Sequence, residues 1–194
     1  MALVLDGNGT MTVGNGDITG ITRGAIESTA IGAGAVLQVV NTYYTTATSQ
    51  SITSGTVNNI TGLEAIITPA STSSRILIFI RWFGEHGTDN QNWETMFGIT
   101  RDGTAIGLPA QPGSVGLGMA MASLSYYAAN ADSTPENVFY SFLDSPSTTS
   151  AVTYRAYATP QVTEVLYTNR VAGATTSGGF ERGTSSIMLM EIAG

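Results

Sequence analysis

Cysteine is absent from the 194 residues, which excludes disulfide staples, thiolate metal sites and cysteine nucleophiles together. Lysine is absent too: seven arginines carry all the lysine-plus-arginine charge against 14 Asp and Glu, for a formal net charge of −7. A chain of that sign repels phosphate backbones, so nucleic acid is not expected as a partner. Charged residues make up only 11% of the chain while 42% are hydrophobic. A surface so poor in charge must be clothed in Thr, Ser, Asn and Gly or hidden against other subunits. Long apolar runs are missing as well. The longest nearly uninterrupted one, Ile76-Leu-Ile-Phe-Ile80, is bracketed by Arg75 and Arg81 and falls far short of the roughly 20 residues of a membrane helix, so it reads as a core strand and no membrane insertion is expected. Met1-Ala-Leu-Val-Leu-Asp6 has neither the basic leader nor the long apolar segment of a secretory signal, so synthesis in a cytoplasm is expected.

Residues 1–34 differ in character from residues 35–194. Asp6-Gly-Asn-Gly-Thr10 and Gly14-Asn-Gly-Asp17 are turn punctuation between short pieces such as Met11-Thr-Val13 and Ile18-Thr-Gly-Ile21. Too little apolar surface lies there for a core. Extended, such an arm reaches on the order of 100 Å, enough to lie on a neighbouring subunit. Its apolar plugs, Leu3, Val4, Leu5, Val13, Ile18 and Ile21, are the expected partner-anchoring residues. Residues 24–31 are compatible with one or two helical turns, and Gly32 and Gly34 with a flexible joint.

From residue 35 to 194 the sequence is strand after strand: 36–44, 50–53, 63–67, 75–83, 93–101, 116–127, 137–143, 151–158, 164–167 and 185–192, separated by turn signals such as Thr68-Pro-Ala-Ser-Thr-Ser-Ser74 and Asp144-Ser-Pro-Ser-Thr-Thr149. Asp102-Gly103 between two apolar pieces predicts a two-residue hairpin, because a type I′ turn needs positive φ at both central positions. Val152, Tyr154, Ala156 and Ala158 alternate with Thr153, Arg155 and Tyr157, as in a strand with one dry face. Eight to ten such strands predict an all-β fold, a jelly-roll-like β-sandwich preceded by an extended N-terminal arm. In the predicted 116–127 strand, small residues alternate with Leu117, Met119 and Met121, which fits either a tight core or a close approach at an oligomer axis.

Six pieces in order, 36–40, 60–63 with 67–78, 100–104, 142–154, 167–170 and the closing Arg182-Gly-Thr-Ser-Ser-Ile-Met-Leu-Met-Glu-Ile-Ala-Gly194, together resemble small surface proteins of tailed phages, notably marine and cyanobacterial ones, described as tail-fibre-like or fibre-domain proteins. The resemblance spans nearly everything after the arm. It implies a trimeric β-structured virion protein with no reaction of its own. A long fibre would carry a far larger attachment region than a 34-residue arm, so a short fibre or a capsid-decorating knob is the expectation, with major capsid or tail proteins as partners and the virion surface as location. The alternative is a receptor-binding module that contacts host surface glycan or an outer-membrane protein.

Chemistry-bearing residues are sparse. Glu85-His86-Gly-Thr-Asp89-Asn-Gln-Asn-Trp93-Glu94 gathers the only histidine with three carboxylates and reads as a polar connecting loop. Within it His86, Asp89 and Trp93 are the candidate ligand contacts, for a hard cation or a sugar face. One histidine without cysteine makes a poor zinc site. Asp6-Gly-Asn-Gly-Thr10 echoes a calcium loop but has Met11 where that pattern needs Gly and Asp17 where it needs Glu. No Gly-x-Ser-x-Gly elbow occurs, and Glu85, Asp89, Glu94 and Asp132 are available for a glycosidase-type pair without any spacing that enforces one. No cofactor, no metal and no enzymatic activity are expected. The aromatic pairs Tyr43-Tyr44, Trp82-Phe83 and Tyr126-Tyr127 fit either packing or stacking on saccharides.

Overall fold

The computed structural model describes residues 32–87, 95–110, 117–122, 133–174 and 180–194. Every regular element among them is a strand: β1 (Val36–Tyr44), β2 (Thr48–Ile52), β3 (Asn58–Ile67), β4 (Arg75–His86), β5 (Met96–Arg101), β6 (Thr104–Ile106), β7 (Ala120–Met121), β8 (Glu136–Asp144), β9 (Val152–Thr159), β10 (Glu164–Thr168) and β11 (Ser185–Ile192). They form two antiparallel sheets, a six-stranded sheet A with β8 on one side of β4 and a five-stranded sheet B ordered β3-β9-β5-β6 with β7 also on β5. The fold is an all-β sandwich.

The register simplifies the picture. β11 pairs β4 from Ile192↔Arg75 to Ser186↔Arg81, and β10 takes over the same edge at Thr168↔Gly84 and Leu166↔His86. β1 pairs β11 and β2 pairs β10 in the same way. Thus β1 with β2, and β10 with β11, are two long strands each interrupted at one level. β6 and β7 likewise share one edge of β5. Counted as eight strands in chain order, sheet A runs 1-8-3-6 and sheet B runs 2-7-4-5.

Asn169 holds the interruption together. It sits at φ 63°, a left-handed conformation that Asn tolerates better than most residues. Its side-chain amide donates to Tyr44 O (2.9 Å) and Thr46 O (3.0 Å), its Oδ1 accepts from Ser185 Oγ (2.7 Å), and its backbone N–H reaches Phe83 O (2.8 Å). The side chain therefore substitutes for ladder bonds that the break removes, as buried backbone polar groups require.

Period-2 burial builds the core. Ile76, Ile78, Ile80 and Trp82 of β4, Ile187 and Leu189 of β11, and Val138 and Tyr140 of β8 face Leu63 and Ala65 of β3, Val152, Tyr154, Ala156 and Ala158 of β9, and Phe97 and Ile99 of β5. Trp82 and Phe97 meet at a centroid distance of 4.9 Å. Polar ties also cross the gap: Tyr140 Oη donates to Gly98 O (2.8 Å), and Asp144 accepts from Arg101 Nη1 (2.9 Å) and Tyr154 Oη (2.7 Å). Burial and the neighbouring Asp144 carboxylate raise the Tyr154 hydroxyl well above its ordinary pKa.

The Asp102-Gly103 hairpin is as the sequence predicts, with φ 48° and 86° and Arg101↔Thr104 closing it. Of the strand expected over 116–127, the described part is strand only at Ala120–Met121. Residues 117–119 instead cross tightly over β5, with Met119 N–H donating to Phe97 O (2.6 Å); a Cβ on Gly118 would crowd Phe97 O. The helical turns expected over 24–31 lie outside the described residues. Among the described residues no helix is long and apolar enough to cross a membrane.

Candidate interaction surface

The cross-strand register sorts the outward side chains of sheet A into rows. Val39, Met190, Leu77 and Leu143 form one; Asn41, Met188, Phe79 and Ser141 the next; Tyr43, Ser186, Arg81 and Phe139 the third; and Phe83 lies opposite Asn137 beyond it. Val36, Ile192 and Arg75 close the other end. Phe139 is 65% exposed, Tyr43 59% and Val39 53%. The Phe79 and Phe139 rings stack at 6.2 Å. Arg81 Nη2 donates to Thr184 Oγ1 (2.8 Å), which also accepts from Tyr43 Oη (3.1 Å). At this end a shallow hollow is lined by Arg81, Phe83, Asn137, Phe139, Gly183 and Thr184. No Asp, Glu or Lys stands in these rows, and among the described residues neither Arg75 nor Arg81 has a carboxylate in ion-pair range.

Sequence reasoning missed this face. Its residues alternate with the core residues of the same strands, so each reads as the second half of an apolar run. The near-continuous apolar character of 76–80 is the signal that both sides of that strand are dry.

Glu85 and His86 correct the loop reading. They are the last residues of β4 and both are fully buried, because the strand continues past Gly84 to pair with β10. Side chains distant in sequence receive them. Glu85 Oε1 accepts from the Thr134 N–H (3.0 Å) and hydroxyl, and Oε2 from the Ala172 N–H, so this carboxylate pins two loops to the sheet. His86 Nδ1 bonds Glu136, the first residue of β8, and its ring lies 5.6 Å from that of Trp82 and 6.0 Å from that of Phe97. Glu164 accepts from Thr95 Oγ1 (2.7 Å) nearby. Burial alone would lower the His86 pKa, but the bond to Glu136 and the charges of Glu136, Glu164 and Glu85 outweigh it and raise it above the usual value. His86 is thus a buried ion-pair partner rather than a surface contact, and Asp89 and Trp93 lie outside the described residues. So do Leu3, Val4, Leu5, Val13, Ile18 and Ile21. Trp82 is core and fully buried, whereas Phe83 faces the hollow.

Among the described residues no group of three or more His, Asp and Glu is placed to hold a metal ion. What the buried acids do is anchor backbone, and what the exposed side of sheet A offers is contact area. No protein-family model matches the chain, and no curated protein matches it.

Proposed function

We propose that this chain is a non-enzymatic structural protein of a tailed-phage virion, a short fibre or a capsid-decorating knob, homotrimeric, displayed on the particle surface and held to a capsid or tail protein by residues 1–34. The observation that carries the reading is the outer face of sheet A, which no other described residue covers and whose rings, methionines and arginines, without carboxylate partners among the described residues, suit contact with another molecule rather than turnover of one. The 1-8-3-6 over 2-7-4-5 strand order supports its jelly-roll part, since two interleaved Greek keys give eight strands in two sheets. Of the residues that a sequence reader would take for acid/base groups, Glu85 and His86 are engaged in fastening loops and strands, and Asp89, Glu94 and Asp132 lie outside the described residues. Three arms on one trimer multiply a modest individual anchor through effective concentration.

Imaging of intact particles with the protein labelled tests the location. Removal of residues 1–33 tests the anchor: trimmed protein is lost from particles, and undiminished occupancy would reject the arm's role.

A second reading, a receptor-binding module for host surface glycan or an outer-membrane protein, draws on the hollow where Phe83 and Phe139 flank Arg81, Asn137 and Thr184. Rings beside a guanidinium and an amide suit the apolar face and hydroxyls of a sugar. The two readings compete for the same side chains. Adsorption of the isolated protein to host cells, abolished by Phe139→Ala, would favour the second.

A further inference from the structure

We infer that the outer face of sheet A is the subunit interface, and that its occupant is a second copy of this chain. The inference rests on the homo-oligomeric part of the proposed function, to which it assigns a surface.

Composition points there first. Protein interfaces concentrate aromatic residues, Met and Arg and are poor in Lys, Glu and Asp. The rows across β1, β11, β4 and β8 hold Tyr43, Phe79, Phe139, Met188, Met190 and Arg81 and no acid, on a chain whose net charge is −7. Acids have been kept off this face while they outnumber arginine elsewhere.

The area is also adequate. At about 4.8 Å between strands and about 3.3 Å per residue, four strands by eight residues have a footprint on the order of 500 Å². Side chains standing off that plane bring the accessible area toward the roughly 800 Å² that each side of a stable complex covers. The exposed residues are continuous across four paired strands, not scattered.

Self-sufficiency selects the occupant. Arg81 shares its row with Tyr43 and Phe139, so copies that turn this same face toward a common threefold axis offer rings to one another's guanidinium, which needs no carboxylate to be accommodated there. Met188 and Met190 at the centre are the adaptable side chains that fill an imperfectly matched gap.

Light scattering on the full-length chain tests this. The wild type is expected at a multiple of the single-chain mass, and Phe139→Asp at the single-chain mass at the same concentration, with association weakened at least tenfold. Ile66→Asp, on the outer face of sheet B, leaves the assembly intact. Circular dichroism confirms that each variant is folded; a folded Phe139→Asp that keeps the wild-type mass overturns the inference. Ser141→Cys supplies a second readout, because the chain has no other thiol. That thiol is expected to be protected from maleimide in concentrated protein and to become reactive on dilution. Free reactivity at every concentration overturns the inference. Protection that survives dilution to single chains and vanishes on removal of residues 1–31 also overturns it, and gives the face to the chain's own N-terminal segment. Absence of the protein from particles would sink the virion reading and leave this one standing.

Discussion

Two outward faces of one sandwich have been treated in opposite ways. On sheet B the rows read Ile66 with Thr153, then Glu64, Arg155, Thr100 and Ala105, then Asn59, Tyr157 and Gly98. Arg155 Nε bonds the Glu64 carboxylate, and the large ring in these rows, Tyr157, is only 1% exposed, packed on Gly98 with its hydroxyl donating to Leu117 O (3.2 Å). Sheet B buries this ring against its own chain. Sheet A, with more and larger apolar side chains, leaves Phe139 standing in solvent. On the proposal above, that contrast separates the face that meets another copy from the face that does not.

The contrast can be broken most severely on the sheet B side. Tyr157→Ala is expected to cost about 3–5 kcal/mol, the range for emptying a buried aromatic site, with thermal or urea unfolding as the measure. Gly98→Ala comes next: a Cβ there would overlap the Tyr157 ring, and the forced shift should cost about 1–3 kcal/mol by the same measurement. A smaller effect concerns the core end of sheet A. The folded-state pKa of His86 is raised, so the stability its ion pair with Glu136 contributes is fully present below the unfolded value near 6.5 and is lost as pH rises through the raised folded value. Melting temperature followed across that window should fall for the wild type, and His86→Gln should flatten that fall; an identical slope in both would refute the assignment. Arg155→Ala, which removes a half-exposed ion pair, should cost no more than about 1 kcal/mol, and less in high salt. Smallest of all, Phe139→Ala should change the stability of the isolated chain by no more than about 0.5 kcal/mol, however much it alters association. A large loss there would mean that Phe139 supports its own sheet and that the comparison is misdrawn.

The strands were legible because their burial is local and periodic. β1 and β11 begin and end where the alternation and flanking turn residues say they should, and Asp102-Gly103 carries its own backbone conformation. Glu85 and His86 were not legible. Their polarity mimics a loop, and what makes burial tolerable comes from Thr134, Glu136 and Ala172, 49 to 87 positions further along the chain. The same holds for Leu117 and Met119, whose alternation imitates a strand while Gly118 is in fact chosen for a close crossing over Phe97. The outer face of sheet A falls between: its residues were visible as strand, but which neighbours they join depends on the register of four strands drawn from both ends of the chain. Periodicity tells which side of a strand a residue takes and is silent about who stands beside it.

The stitch at Asn169 has a mechanical corollary. The polypeptide leaves its line there and resumes it at Ser185, with both shores fastened to Tyr44, Thr46 and Phe83 by one amide side chain and its neighbours. The detour is itself tied down, with Val171 and Ala174 buried and the Ala172 N–H on the Glu85 carboxylate, so the knot at Asn169 and the loop beyond it brace the same end of β4.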